Sequence, residues 1–122
     1  KKNKQNNLLY FTEPFFFKNN GKEFDYLKKF LERFKDKKNY NIRIKLHPLE
    51  SPKKYNKLIK KYKQINIKVF KNPKLEDLIN WCDKVFGCET YAMIIASKCN
   101  KKVYTLMHPN DFRLPKGLVK NF

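Results

Sequence analysis

Both histidines of this 122-residue chain stand directly before a proline, at His47-Pro48 and His108-Pro109. Proline cannot continue a strand and restricts the residue before it, so we expect His47 to project from the end of a strand. An imidazole there can donate a hydrogen bond to a phosphate oxygen, or act as a general acid on a leaving phosphate when protonated. His47 is therefore the candidate catalytic residue, with Pro48 fixing its backbone. The alternative for His47 is a packed, hydrogen-bonded histidine without chemistry, and His108-Pro109 is interpreted as a turn.

A second candidate is the segment Gly87-Cys88-Glu89-Thr90, which follows a short apolar run and opens a helical pattern. A turn that leads into a helix presents free N–H groups and the positive end of the helix dipole, and both favour phosphate. Glycine lets the backbone approach a ligand, and the Thr90 hydroxyl can add a hydrogen bond. The alternative is that Glu89 or Thr90 only caps its own helix. Neither a GxGxxG nor a GxxxxGK[ST] pattern occurs, which disfavours dinucleotide and P-loop sites.

The carboxylates and the cysteines indicate a function less clearly than His47 and the segment at 87–90 do. Glu13, in the segment Thr12-Glu13-Pro14 after another apolar run, could contact a ribose hydroxyl or a substrate amide. A capping or surface carboxylate is the alternative role. The acidic residues are otherwise scattered, so we predict no metal site.

Three cysteines without CxxC spacing predict neither a zinc site nor a disulfide framework, and a reducing cytoplasm is the expected compartment.

Apolar periodicity divides the chain into alternating strands and helices. Short apolar or alternating runs predict five strands, at 8–11, 42–46, 65–69, 84–87 and 103–107. Apolar residues at helical spacing predict four helices, at 24–38, 51–62, 72–82 and 89–98. Ser51-Pro52 and Asn72-Pro73 are interpreted as helix starts, each a capping side chain followed by proline. Beyond Pro109 the pattern dissolves, and residues 114–117 are predicted to form a loop or tail.

This alternation predicts a three-layer, Rossmann-like α/β domain over residues 1–122, with a five-stranded parallel sheet and helices on both faces. The first strand is apolar throughout and is placed at the centre, which favours the order 3-2-1-4-5. Ligands of such sheets bind at the carboxyl ends of the strands, near the point where the strand order reverses. The nucleotide- and phosphate-binding residues predicted there are Thr12, Glu13, His47, Pro48, Gly87, Cys88, Glu89 and Thr90. The run Phe15-Phe16-Phe17 is expected to fold under the first helix or to meet a further domain.

The excess of basic over acidic residues limits the kinds of partner that this chain can attract. The chain has 29 basic and 11 acidic residues, a formal net charge of +18, and 26 of the basic residues are lysines. Lysine makes a general positive field, whereas sequence-reading nucleic-acid proteins depend on arginine. The first interpretation is a solvated, compositionally biased surface, with an acidic substrate, an anionic membrane face and nucleic acid as alternatives. No apolar run reaches the roughly 18–20 residues of a spanning helix.

Four segments resemble the C-terminal half of a bacterial surface-carbohydrate glycosyltransferase of the GT-B type, most closely the sialyltransferase and polysialyltransferase group. Their sequences are LYFTEP at 9–14, KLHP at 45–48, GCETYAM at 87–93 and KKVYTL at 101–106. The resemblance implies a donor site for a CMP-linked or other nucleotide-linked sugar, in which His47 and Thr90 contact phosphate. That group shows two adjacent hydroxyl residues where this chain has Glu89-Thr90. Glu89 is therefore expected to contact the ribose or to indicate a different donor.

The resemblance also has implications for the parent protein. The family's catalytic base belongs to an N-terminal half that binds the acceptor glycan, so this chain alone is expected to be an inactive fragment. No cofactor or metal is implied, and the role is in surface-polysaccharide biosynthesis. With the positive charge, this favours a cytoplasmic protein in peripheral contact with the anionic inner face of the membrane. The alternative function is a Lys-rich nucleic-acid-binding α/β module without catalysis, and a receiver-like domain is disfavoured because only Glu13 fits its acidic pocket.

Overall fold

The structure is a computed structural model that describes residues 6–14, 21–111 and 117–122. The predictions for Phe15-Phe16-Phe17 and for residues 114–116 lie outside this part of the chain. The described residues form six strands: β1 Asn6–Phe11, β2 Tyr40–Lys45, β3 Asn66–Phe70, β4 Lys84–Gly87, β5 Lys102–Thr105 and β6 Lys120–Asn121. They also form α1 Lys22–Phe34, α2 Asn56–Ile59, α3 Leu75–Trp81 and α4 Tyr91–Lys98, with a short 3₁₀ helix at Lys60–Tyr62.

The strands form one parallel sheet in the order β3-β2-β1-β4-β5-β6. The predicted order 3-2-1-4-5 is confirmed for the first five strands. β1 lies inside the sheet because Leu8, Leu9, Tyr10 and Phe11 are apolar on both faces, and all four are buried. The alternating strands β2 and β3 lie progressively nearer the edge. The strand order reverses between β1 and β4, and the carboxyl ends of these strands define the switch point.

The prediction of five strands is wrong by one. β6 contains only Lys120–Asn121, which extends the sheet beside β5. Two residues are too few to show an alternating pattern, so periodicity carries no signal for this strand. Its place is secured by the next residue, Phe122, whose ring stacks on that of Phe34 with 5.8 Å between centroids.

Helices cover both faces of the sheet, which confirms the three-layer architecture. On the side of α1 and α2, the core contains Leu8 and Tyr10 of β1 with the apolar face of α1, which comprises Leu27, Phe30, Leu31 and Phe34. On the side of α3 and α4, it contains Leu9 and Phe11 of β1 with Leu78, Ile79, Met93 and Ile94 of the two helices. Alternate residues of β1 therefore pack against the helices on opposite faces of the sheet, and their apolar burial stabilises both helical layers.

Two helices, α2 and α3, start well after the predicted position. Ser51-Pro52 begins a series of turns, and α2 starts only at Asn56. Asn72 adopts a left-handed conformation with φ of 57°, which does not suit an N-cap, and α3 begins at Leu75. Ser51 still caps the first of these turns, because its hydroxyl accepts a hydrogen bond from the Lys53 amide at 3.2 Å, whereas Asn72 forms a local turn in place of the expected capped start. None of the helices in the described ranges is long and apolar enough to cross a membrane.

Candidate functional site

The ends of β1, β2 and β4 meet at the switch point and are joined by hydrogen bonds. The amide of Thr12, just after β1, donates to the carbonyl of Lys45 at 3.1 Å. The amide of His47, just after β2, donates to the Thr12 hydroxyl at 3.0 Å. Across the reversal, the Glu89 amide after β4 donates to the Glu13 carboxylate at 3.0 Å. The structure therefore brings predicted residues from three strand ends to one edge of the sheet.

His47 lies half-buried at the first position of a β-turn over residues 47–50, with Pro48 at the second. The Glu50 amide closes the turn by donating to the His47 carbonyl at 2.9 Å. Within the turn, the Leu49 amide donates to Nδ1 of His47 at 3.1 Å. Because Nδ1 accepts this bond, the proton of the neutral imidazole resides on Nε2. The turn therefore leaves Nε2–H as the ring donor for a ligand.

Glu50 is the last residue of this turn and is only 3% exposed, so its side chain is buried beneath the turn. Its Oε1 accepts hydrogen bonds from the Thr12 hydroxyl and from the His47 amide, the latter at 3.2 Å. Its Oε2 accepts from the Tyr55 hydroxyl at 2.5 Å and pairs with the Lys54 ammonium at 2.8 Å. Both oxygens are thus satisfied, which is what a buried carboxylate requires.

The protonation states in this network follow from its contacts. Burial raises the pKa of the Glu50 carboxyl, but hydrogen bonds from Lys54, Thr12 and Tyr55 outweigh it, so that the pKa is lowered overall. Burial lowers the pKa of Lys54, and its hydrogen bonds to Glu50 and Glu23 more than reverse this. Burial and then the hydrogen bond to Glu50 raise the pKa of Tyr55 far above its ordinary value. At neutral pH, Glu50 is therefore an anion and Tyr55 a neutral donor.

Two further contacts shape the turn. Lys71, the first residue after β3, donates from Nζ to the carbonyls of Pro48 and Glu50 at 3.2 and 2.7 Å. Thr12 is almost fully buried, and its hydroxyl links Glu50 to the His47 amide. Thr12 and Pro48 were both expected to contact nucleotide, and the structure gives each of them a role in holding His47. A direct contact of either residue with a ligand stays a prediction.

Gly87 and Cys88 are buried at the end of β4, and their surroundings explain both residue types. A Cβ atom on Gly87 would lie 3.0 Å from Sδ of Met93 and 3.3 Å from the carbonyl oxygen of Phe11. The close approach expected at this glycine is thus made by the protein's own chain. Burial, followed by the nearby charge of Glu13, raises the pKa of the Cys88 thiol far above its usual range. Cys88 is therefore a neutral thiol beneath the site and not an activated nucleophile.

The Glu89-Thr90 pair lies where the chain enters α4. The helix begins at Tyr91 and not at Glu89, with Thr90 as its N-cap residue. The Thr90 hydroxyl makes no capping hydrogen bond, so the structure gives no support to a purely capping role. Glu89 is half-buried beside Glu13, whose carboxylate accepts its amide hydrogen. Within residues 6–14, 21–111 and 117–122, no three His, Cys, Asp or Glu side chains are grouped as a metal site.

A second turn of the same construction follows β5, which confirms the interpretation of His108-Pro109. The Asp111 amide donates to the His108 carbonyl at 2.9 Å, and the Asn110 amide donates to Nδ1 of His108 at 3.1 Å. All four residues of this turn are exposed. The two histidines therefore share a tautomer and a turn, and they differ in burial and in their contacts with the rest of the protein.

Two of the cavities among the described residues lie beside α1. One of about 390 Å³ lies between α1 and the end of β5, with Tyr26, Lys29 and His108 in its lining. Burial raises the pKa of the Tyr26 hydroxyl. The other cavity, of about 220 Å³, lies near the starts of β2 and β4, and no predicted site residue lines it.

Glu50 is the site residue that sequence reasoning missed. A glutamate directly before Ser51-Pro52 has the pattern of a surface residue ahead of a helix. Its spacing from His47 is not diagnostic either, because Asp111 has the same spacing from His108 and is exposed. The burial of Glu50 depends on tertiary contacts with another strand end and with the turns before α2, and local sequence does not record them.

Comparison with known proteins shows that the fold of this chain resembles part of a solved structure. No protein-family model matches the chain, and no curated protein matches it. Among solved structures, it is similar to Thermosulfurimonas dismutans KpsC, a beta Kdo 2,4 transferase, with a TM-score of 0.55 and 12% sequence identity. The likeness covers 83% of this chain and 33% of KpsC, so the chain spans a third of that structure. The described domain thus has a fold found in a glycosyltransferase.

Proposed function

We propose that this chain is the donor-binding domain of a GT-B glycosyltransferase and holds a nucleotide-linked sugar at the switch point. The observation that carries the proposal is the His47 turn, which fixes an Nε2–H donor at the carboxyl end of β2. The fold shared with part of KpsC supports it. The resemblance to sialyltransferases favours CMP as the nucleotide and a surface glycan as the acceptor.

In the proposed reaction, the bond between the sugar and the nucleotide phosphate breaks, and negative charge develops on the phosphate. His47 donates a hydrogen bond from Nε2–H to a phosphate oxygen as a neutral imidazole. To act as a general acid it would first take up a proton on Nδ1 and give up the hydrogen bond from the Leu49 amide. The Thr90 hydroxyl and the positive end of the α4 dipole act on the same charge. Donors that are fixed before the reaction stabilise such charge effectively, because they need no reorganisation.

Glu13 and Glu89 are proposed to contact the hydroxyl-bearing part of the donor. The two lie together because the Glu13 carboxylate accepts the Glu89 amide. Carboxylates accept hydrogen bonds from ribose or sugar hydroxyls and repel phosphate. The phosphate therefore belongs nearer to His47 and Thr90 than to this pair.

A second domain completes the proposed enzyme. The likeness covers only 33% of KpsC, which supports a parent protein with more than this domain. We place the acceptor glycan and the catalytic base in that further part, so that the chain alone binds donor without transferring sugar. Cytoplasmic location and peripheral contact with an anionic membrane face belong to the same proposal, with the lysines supplying the attraction.

An NMR titration of the ¹⁵N-labelled chain with CMP, CDP and UDP tests the proposal. We expect CMP to shift the amide signals of residues 47–50 and 87–90. His47→Ala should weaken CMP binding by at least about tenfold, because a hydrogen bond to a charged group contributes about 1.5–3 kcal/mol.

The matched control is His108→Ala, since this histidine has the same turn and the same tautomer but follows a strand on the other side of the switch point. Its CMP affinity should stay within about twofold of wild type, within the spread of ordinary surface substitutions. The proposal is wrong if residues 47–50 and 87–90 respond to none of the three nucleotides. Equal weakening by both variants would indicate general charge attraction instead of a site.

A further inference from the structure

We infer that Glu50 is the positioning residue of the donor site, and that it holds His47 where Nε2 can reach the donor phosphate. The inference rests on the proposed function. Glu50 is too deeply buried to contact a ligand itself. It acts through the His47 amide and the Thr12 hydroxyl, which both donate to its Oε1.

The contacts of Glu50 join the His47 turn to separate parts of the fold. Thr12 belongs to the end of β1, and Lys54 belongs to the turns before α2. Lys54 also pairs with Glu23 in the first turn of α1, with 2.9 Å between Nζ and Oε2. The His47 turn can therefore move only if contacts to several elements break together. Hydrogen bonds to an ionised carboxylate are stronger than neutral ones, so the charge of Glu50 contributes to this restraint.

The turn at His108 has the same local geometry as the His47 turn, but no buried carboxylate holds it to the sheet in the described residues. Asp111 has the position in that turn that Glu50 has after His47, but it is exposed. Among the described residues, no side chain or amide donates a hydrogen bond to its carboxylate. The local turn is therefore enough to set the imidazole tautomer. Glu50 adds the restraint relative to the sheet at His47, and among the described residues Asp111 adds no such restraint at His108.

A double-mutant cycle on CMP affinity tests whether Glu50 acts through His47. The four proteins are wild type, Glu50→Gln, His47→Ala and the double variant, each titrated with CMP by NMR as the full chain. We expect Glu50→Gln to weaken CMP binding by up to about tenfold, because a residue that acts through His47 can cost no more than the His47 hydrogen bond to phosphate contributes. Once His47 is replaced by alanine, the same change should alter affinity by less than about twofold, because the two positions are coupled.

Two features of the design separate positioning from other effects. Loss of a negative charge near the site would by itself strengthen phosphate binding, so the expected weakening has the opposite sign to a bulk electrostatic effect. Glu76→Gln, at an exposed position of α3, makes the same charge change and should leave CMP affinity unchanged. If Glu50→Gln does not fold, Tyr55→Phe supports the same cycle, since it removes one donor to Glu50 and keeps the ring.

The outcomes distinguish this inference from the proposed function. Equal weakening by Glu50→Gln with and without His47 would make Glu50 a structural residue only and would overturn the inference. No effect of Glu50→Gln in a folded protein would overturn it as well. Absence of CMP binding by the wild-type chain would instead refute the proposed donor site, and the inference would lose its basis with it.

Discussion

His47 and His108 share a following proline, a turn and a tautomer, yet they have different surroundings. The position of His47 at a strand end could be predicted, because proline ends a strand by local sterics. The role of Glu50 could not, since its burial depends on side chains that arrive from other elements. At the scale of residues, the sequence therefore indicates which groups can do chemistry, and the tertiary contacts decide which of them are held in place.

Replacing Glu89 by serine should weaken CMP binding, because it removes the proposed acceptor of a hydrogen bond from the ribose. Glu89 lies beside Thr90 at the start of α4, where the resembling enzymes have two adjacent hydroxyls. A hydrogen bond to a charged group contributes about 1.5–3 kcal/mol, so its loss should weaken CMP binding roughly tenfold or more. Isothermal titration with CMP measures this, with Glu76→Ser as the control for lost charge. Unchanged or stronger binding by Glu89→Ser would contradict the proposed ribose contact, and stronger binding would mean that this carboxylate chiefly repels the phosphate.

The lowered pKa of Glu50 predicts how stability depends on pH. The unfolded state takes up the proton first, near the ordinary glutamate pKa of about 4.3, because the folded-state pKa is lower. The stabilisation by ionised Glu50 is therefore complete above that pH and is lost as the pH falls through the folded-state pKa. Urea unfolding between neutral pH and about pH 3 should show a smaller loss for Glu50→Gln than for wild type. Parallel pH profiles would mean that Glu50 has an ordinary pKa.

At the scale of elements, the order of β1 to β5 could be predicted because it depends on burial, which composition records. β1 is apolar on both faces and lies inside the sheet, whereas β3 alternates and lies at the edge. The start of α3 could not be predicted, because Asn72-Pro73 has the composition of a cap and forms a left-handed turn instead. β6 is too short to have a periodicity.

Gly87→Ala should destabilise the protein, because β4 packs against β1 and α4 without room for a Cβ atom. The added methyl would meet Sδ of Met93, which can move, and the carbonyl of Phe11, which is fixed in an inner strand of the sheet. We expect a loss of about 1–3 kcal/mol in the free energy of unfolding, typical of overpacking. Gly117→Ala is the matched control, since no atom lies within 4 Å of its added Cβ. A loss below about 0.5 kcal/mol for Gly87→Ala, within the range of surface substitutions, would contradict this packing.

At the scale of the whole molecule, the net charge of +18 is unevenly distributed. Residues 51–75 carry nine lysines and no acidic residue, and they include α2 and the edge strand β3. Arg33 and Arg43 are engaged within the protein: their guanidinium carbons lie 4.2 Å from the ring centre of Phe122 and 4.1 Å from that of Trp81. These contacts disfavour arginine-based readout of nucleic acid, whereas a lysine surface suits a diffuse anionic partner.

The lysine-rich segment should bind anionic membranes in a salt-dependent way. We expect the chain to sediment with vesicles that contain phosphatidylglycerol and not with pure phosphatidylcholine vesicles, because each lysine near such a surface contributes about 1 kcal/mol. Raising the salt to about 0.5 M should release it, since screening shortens the range of the attraction. A variant with Lys57, Lys60, Lys61 and Lys63 changed to glutamate should not bind. Equal sedimentation of this variant would exclude the segment as the contact.

The most direct test of the donor site is a crystal structure of the chain with CMP bound. The account predicts phosphate oxygens within about 3.2 Å of Nε2 of His47 and of the Thr90 hydroxyl, with Glu50 unmoved beneath the turn. A nucleotide seated elsewhere, for example on the lysine-rich segment 51–75, with His47 and Thr90 making no contact to it, would contradict the account.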